Sequence, residues 1–494
     1  MVSSQKFWQM MKGKIPSSFL FIFSLLSIIV INGDGSLFVN SNPDHDDEGS
    51  MTFELIHRDS PKWHGNHQKP PKSQRQLIIE RHLRDINRQE VIYPLRKDGI
   101  KLKMESGADL GTGEYLAEVK IGTPPKKYTL VLDTGSDLTW VNCRYDCKDC
   151  QHARYRDEFY GEQDKFYRGD GGKAVDVFQA HRSSSFKPVP CGSKQCRSGL
   201  AEMGSMTVCP HPSSHCMYKI SYLGGQLASG FFGEEILRAP LTTTGRTLKL
   251  QHMVIGCTET VVKGLKADGL LALGFAQSSW ADKTARNFGP KFSYCLMSFD
   301  NHMNVTSYIT FGANKKAAWH PPLTRFKFFL PNSGHYGVKI VGISVGGKVL
   351  DIPSHIWRYD NVTGGGTVFD SGTSNSWLAA PAYDAVMAEY RKALSKYERL
   401  KRDPKLPFEF CFKSTGLDWS SVPKFTYHFA NGVVFEPPMW NVIPEVVNSG
   451  ERCVAFVKSN TYVGSLIGNI MQQNFLWEFN LEEQTIGFTP SSCI

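Results

Sequence analysis

Leu130-Val131-Leu132-Asp133-Thr134-Gly135-Ser136-Asp137-Leu138-Thr139-Trp140 is echoed, 237 residues later, by Thr367-Val368-Phe369-Asp370-Ser371-Gly372-Thr373-Ser374-Asn375-Ser376-Trp377. In each copy a short apolar run ends on Asp, and a hydroxyl residue, Gly and a second hydroxyl residue follow. A further echo lies downstream of each copy: Asp268-Gly269-Leu270-Leu271-Ala272-Leu273-Gly274 after the first, and Gly464-Ser465-Leu466-Ile467-Gly468 after the second. The chain thus reads as two similar lobes, each offering one Asp on a tight turn.

The residue types suit one chemistry. An Asp at the end of a buried strand is partly desolvated, and the Gly behind it lets the backbone turn sharply toward a partner loop. Neighbouring hydroxyls donate to its oxygens. Two such carboxylates brought together cannot both ionise cheaply, so one proton is shared and the pair titrates in two separated steps. One carboxylate then takes a proton from water while the other donates to the carbonyl under attack.

Working outward, the texture is β from Glu114 on. Tyr115–Ile121 alternates, Gly122-Thr123-Pro124-Pro125 turns, and Tyr128–Leu132 is a second short apolar strand. One helix is expected, from Pro381 to Tyr397. The chain has 494 residues, 41% hydrophobic and 21% charged, with 44 Gly and 26 Pro. That excludes wholesale disorder and a small single domain, and favours turns and strands over a helical bundle. A net charge of +9 over this length, without a dense Lys/Arg tract, gives no reason to expect a nucleic-acid partner.

The N-terminus carries Lys6, Lys12 and Lys14 and then Phe19–Ile31, apolar except for Ser24 and Ser27, with Gly33 and Gly35 beyond. This is the layout of a secretory signal peptide, assigned to residues 1–33. The alternative, a membrane anchor, needs a longer run: thirteen helical residues rise about 20 Å, against roughly 30 Å of hydrocarbon. Residues 34–108 are polar and basic with sparse apolar residues, as in a propeptide; a plain linker is the other reading. Twelve cysteines fit an oxidising route, as do the sequons at Asn304 and Asn361. Seven cysteines lie between Cys143 and Cys216. Irregular spacing favours a disulfide-stapled segment over a zinc knuckle there, and the odd count sends at least one bridge out of the block if all twelve pair. Cys411 and Cys453 are a plausible pair. Residues 151–190 read as a polar surface insertion.

The paired D-T-G-S and D-S-G-T-S motifs, each behind an apolar strand, resemble those of the pepsin-like aspartic peptidases from about Gly113 to Ile494. The cysteine-rich segment after the first motif, Gly113-Glu114-Tyr115-Leu116, Ile121-Gly122-Thr123-Pro124-Pro125 and Leu55-Ile56-His57-Arg58-Asp59-Ser60-Pro61 resemble the plant nepenthesin-type branch. The resemblance implies a mainly β, bilobal pepsin-like fold: two pseudo-twofold-related, β-barrel-like lobes with a central cleft. The N-terminal lobe would span 109–325, with the Cys-rich insertion at 143–216 and a flap at 219–226, and the C-terminal lobe 326–494. Asp133 and Asp370 would be the catalytic pair. Ser136 and Thr373 would hydrogen-bond their outer oxygens, and Gly135 and Gly372 would orient them through backbone N–H groups. Tyr222 would be the flap aromatic, with Trp140 holding it.

Two departures stand out. The flap reads Tyr222-Leu223-Gly224-Gly225-Gln226 where the family usually has Tyr-Gly-x-Gly-Ser, and Ala272 replaces the glycine behind the first loop, which should shift that loop slightly. The expectation is a secreted, extracellular aspartic endopeptidase (a vacuole being the other destination), made as a zymogen and working in acid. It would act on protein and peptide substrates as a monomer, inhibited by its own propeptide, with no cofactor, no metal and no membrane association once the signal is removed. The competing readings are a catalytically inactive homologue that binds or inhibits another protein, and a two-carboxylate glycosidase.

Overall fold

A computed structural model of the chain describes residues 51–57, 114–146, 176–200, 206–221, 227–240, 247–262, 267–276, 279–298, 307–312, 323–329, 334–360, 364–447, 450–459 and 464–493. The expected signal peptide, the expected propeptide apart from 51–57, Tyr222, Asn304, Asn361, Cys147, Cys150 and residues 151–175 lie outside the described residues.

The alternation in Tyr115–Ile121 becomes a strand that exposes only Glu118 and Lys120 and pairs antiparallel with Lys126–Asp133. Its outward period of two is what a sheet packed on one face requires. Lys126–Asp133 takes a parallel partner, Gly269–Ala272, on its other side, with Leu271 opposite Leu132. Gly269–Ala272 also pairs with Trp140–Arg144, Leu270 facing Trp140. The second lobe repeats the pattern. Thr367–Phe369 runs parallel to Ser465–Ile467, which faces Ser376–Leu378 through Leu466 and Trp377. The duplicated motif is thus a duplicated three-strand crossing. Runs such as Leu-Val-Leu and Thr-Val-Phe are continuous rather than alternating because both faces are buried.

One antiparallel sheet joins the lobes. Its strands lie in the order Tyr115–Ile121, Met51–His57, Ser307–Phe311, Lys291–Cys295, Phe475–Asn480, Thr485–Pro490 and Thr324–Phe329. Lys291–Cys295 and Phe475–Asn480 meet at its middle, where Phe292 and Phe479 stack at 4.6 Å. Met51–His57 comes from the expected propeptide, yet it is paired on both edges, Phe53 opposite Ile309 and Ile56 opposite Leu116. The expected lobe boundary runs through Thr324–Phe329, a strand of the second half of this sheet.

Two details differ from expectation, and a third, the cysteine pairing, agrees with it. The helix spans Ala380–Ala393, with Pro381 in its first turn, and stops short of Tyr397: Ser395 N–H donates to Lys392 O and Tyr397 N–H to Leu394 O, tighter turns that end the α ladder. Residues 176–190 lie only partly at the surface. Phe178 and Phe186 are buried, 5.8 Å apart edge to face, and Phe178 meets Tyr128 in the same way. The 176 end is tied down by Asp268, whose carboxylate accepts from Asp176 N–H and Thr129 N–H, both at 2.8 Å. Finally, the cysteine block is stapled. Cys191–Cys209 and Cys196–Cys216 close inside it and Cys143–Cys257 leaves it, while Cys295–Cys493 and Cys411–Cys453 lie beyond. The sulfurs of Cys191, Cys196 and Cys209 cluster, but all three are in disulfides and offer no thiolate to a zinc ion.

Cys143–Cys257 closes a loop of sequence separation 114 across the strand that follows the first motif. Replacing both cysteines by Ala should lower the unfolding free energy by about 2–5 kcal/mol. Chemical denaturation of the variant beside the parent, without reductant, checks this.

Candidate active site

Asp133 ends the strand Lys126–Asp133, and Asp370 directly follows Thr367–Phe369. Neither is exposed to solvent. Each is fixed from behind by the parallel strand: Leu273 N–H donates to Asp133 O at 2.8 Å, and Asp370 N–H donates to Ile467 O at 3.1 Å.

The two carboxylates have the same partners at the same offsets. Asp133 Oδ1 accepts from Gly135 N–H at 2.8 Å, and Asp133 Oδ2 accepts from the Ser136 hydroxyl. Asp370 Oδ1 accepts from Gly372 N–H at 2.9 Å, and Asp370 Oδ2 from the Thr373 hydroxyl at 2.5 Å. Two donors on each carboxylate fix its orientation.

A second set of bonds, not anticipated from the sequence, locks the loops to each other. Thr134 N–H donates to Ser371 Oγ at 3.1 Å, and Ser371 N–H donates to Thr134 Oγ1 at 2.8 Å. The Ser371 hydroxyl donates onward to Leu132 O at 3.2 Å. Each Asp is one residue from this clasp, so the two carboxylates are carried on adjoining loops. The signal was present in the repeat: a hydroxyl residue at the same place in both copies meets its counterpart wherever a twofold axis passes between them.

Each loop is also held by the other half of the molecule. Gln472 donates through Nε2 to Asp370 O at 3.2 Å and to Ile467 O at 2.9 Å, while Tyr294, from the first half of the joining sheet, donates to Gln472 Oε1 at 2.6 Å. Burial, with Asp370 nearby, holds the Tyr294 phenol well above its usual range, so it stays a donor. On the other side, Tyr336 donates to Leu273 O at 2.7 Å, and Phe275 N–H donates to Gly334 O at 2.7 Å.

The halves differ where Ala272 stands opposite Gly468. A Cβ on Gly468 would lie 2.4 Å from Asn375 O, so the second loop sits tight against its crossing strand. Ala272 carries that Cβ. In the second half Asn469 N–H reaches Thr373 O, whereas in the first it is Gly274 N–H, one residue further on, that reaches Ser136 O. The expected displacement of the first loop takes this form.

The expected flap is a hairpin in its described part: Met217–Ser221 pairs antiparallel with Leu227–Pro240, from Met217 opposite Phe231 to Ser221 opposite Leu227. Trp140 is buried in a cluster with Ala228 of the returning strand, Leu270 and Ala272. Tyr218, at the root of the hairpin, hydrogen-bonds Thr258 Oγ1 at 2.6 Å.

Comparison with known proteins groups the chain. The family described as "Xylanase inhibitor N-terminal" matches residues 115–313, and that described as "Xylanase inhibitor C-terminal" matches residues 335–490. The chain is 32% identical over 412 residues to "Aspartyl protease family protein 2" of Arabidopsis thaliana, covering 82% of this chain and 76% of that protein. It is 26% identical over 413 residues to "Aspartic proteinase nepenthesin-2" of Nepenthes gracilis, covering 81% and 83%. Among solved structures, basic 7S globulin from soybean superposes with a TM-score of 0.58 at 20% identity, over 78% of this chain and 94% of that one, a likeness of fold alone.

Thr134→Val removes the acceptor of the buried Ser371 N–H. It should destabilise the protein by about 1–3 kcal/mol, the cost of leaving a buried donor unpaired. Urea unfolding measures this, and Thr134→Ser, which keeps the hydroxyl, should recover most of the loss.

Proposed function

The chain belongs to the pepsin-like aspartic peptidases, in their plant nepenthesin-type branch, and from that premise we propose that it is a working endopeptidase with Asp133 and Asp370 as its catalytic pair. The observation that carries this is the matched bonding of the two carboxylates, each held by a glycine N–H and a hydroxyl on loops clasped through Thr134 and Ser371. One carboxylate is ionised and accepts a proton from water; the other is protonated and donates to the scissile carbonyl. The water oxygen bonds to the carbonyl carbon, giving a tetrahedral diol. The C–N bond then breaks as a proton passes from the dyad to the leaving nitrogen. No bond to the protein forms. Because one Asp must keep its proton, the activity belongs to acidic pH.

The peptide lies extended in the cleft, under the hairpin that Met217–Ser221 begins, and is held by main-chain hydrogen bonds in the manner of an added strand. Ser136 and Thr373 hold the outer oxygens, Gly135 and Gly372 orient the carboxylates, and Tyr222 closes over the substrate with Trp140 behind it.

In this reading the protein is made as a secreted zymogen. The strand Met51–His57, inserted between Tyr115–Ile121 and Ser307–Phe311, supports that. A cut in the segment after it leaves the strand held non-covalently, by its ladders to both neighbours. Acid does not break main-chain hydrogen bonds, so acidification alone does not release this strand.

A second reading is favoured by the wording of the matched families: a relative that binds and inhibits another protein without cleaving it. One assay separates the two. The chain is expressed, acidified and given a denatured protein substrate, alongside Asp133→Asn and Asp370→Asn. The endopeptidase reading expects cleavage by the parent, blocked by a statine-type inhibitor, and a loss of at least about a thousandfold in both variants. Full activity in either variant removes that Asp from the pair. Inactivity of a folded, processed parent favours the binding protein.

A further inference from the structure

Asp137 stands four residues after Asp133, where the sister loop has Ser374. The repeat therefore places a carboxylic acid on one side of the pseudo-twofold axis and a neutral hydroxyl on the other. The Asp137 side chain is wedged against two glycines. A Cβ on Gly274 would lie 2.3 Å from its Oδ1, and a Cβ on Gly334, whose φ is +69°, would lie 2.5 Å from Oδ1 and 2.8 Å from Oδ2. Both glycines belong to the contact that seats the first loop: Gly274 N–H donates to Ser136 O at 2.9 Å, and Gly334 O accepts from Phe275 N–H at 2.7 Å. Oδ1 is buried and has no hydrogen-bond partner among the described residues. Oδ1 thus lacks a donor such as Gly135 N–H gives Asp133 or Gly372 N–H gives Asp370.

We propose that Asp137 is a positioning residue that acts as an acid-held latch: uncharged, it keeps the first catalytic loop seated against the segment from Gly334 to Tyr336, and losing its proton as the pH rises unseats that loop. The proposal rests on the endopeptidase reading only for its effect on catalysis; the effect on the loop does not need it.

The groups around Asp137 favour the neutral form. Asp133, on its own loop, repels a second negative charge. Tyr336, on the opposing segment, is fully buried and donates to Leu273 O. Its phenol is pushed far up by burial and by Asp137, so it stays uncharged as well. His335, between Gly334 and Tyr336, is the basic residue on that segment and is buried. Burial first, then Asp133, push the Asp137 carboxyl up to about 7. The sign follows from linkage. The folded state holds this proton more tightly than the unfolded chain, whose Asp titrates near about 4. The stability the proton confers is complete below about 4 and is lost as the pH climbs toward about 7.

The test uses the full chain as expressed, with Asp137→Asn and Asp137→Ser, the latter copying Ser374. Thermal midpoints are followed by circular dichroism from about pH 3 to about pH 8. The parent midpoint should fall between about pH 4 and about pH 7, and the variants should fall less over that window. Where the parent cleaves peptide, the alkaline half-point of kcat/KM should move up by about one pH unit or more in the variants. Parallel pH curves for the parent and both variants overturn the proposal. So does a pH dependence that survives in both variants and disappears in His335→Gln. Since the midpoints need no turnover, a chain that fails to cleave peptide still answers the question about Asp137.

Discussion

Everything at the centre of this molecule hangs on the reciprocal bonds between Thr134 and Ser371. They are buried, they cross from one half of the chain to the other, and each leaves a main-chain donor unpaired if its partner hydroxyl is lost. Two loops that meet in any other way would not carry Asp133 and Asp370 on adjoining turns. The surrounding bonds reinforce that one contact. Tyr294, from the first half, steadies the second loop through Gln472, and Tyr336, just past the crossover, steadies the first through Leu273. Neither half can settle its own loop without the other.

The sequence disclosed the parts of this that repeat. Two Asp-containing motifs, each behind an apolar run and each followed by a second echo, led to two lobes; the structure shows that motif and echo pair as strands, Lys126–Asp133 with Gly269–Ala272. Local bonds within a motif, from Gly135 or Ser136 to Asp133, were expected from the family resemblance. Bonds that close over long separations were not. Gln472 reaching Asp370 O, and Tyr294 reaching Gln472, join residues with no shared pattern in the chain. The tail of the insertion misled for a related reason: its aromatic residues, Phe178 and Phe186, sit in a polar, glycine-bearing stretch and reveal themselves as core only beside Tyr128 and Phe231.

The two halves are related but unequal, and the inequality is concentrated on one loop. Ala272 replaces a position that is glycine in the other half, the next hydrogen bond slips by one residue, and Asp137 occupies the place of Ser374. The loop carrying Asp133 is therefore seated through glycines 274 and 334 and the half-buried Asp137, while the loop carrying Asp370 is tied by side-chain amides of Asn469 and Gln472. Amides do not titrate, so the seating of the second loop, unlike that of the first, uses no ionisable side chain besides Asp370 among these contacts.

The strand Met51–His57 has one more implication. It fills a slot between two strands that are otherwise neighbours only through it, one near the beginning of the β region and one from Ser307–Phe311. Its backbone satisfies hydrogen-bonding groups on both flanks, like a keystone set between two arms of an arch. Synthesised without it, the chain would assemble its widest sheet around a gap lined by unmatched amides and carbonyls, which invites a strand from a second molecule to enter. Its interval in the sheet marks where a foreign β-segment would enter a chain made without it.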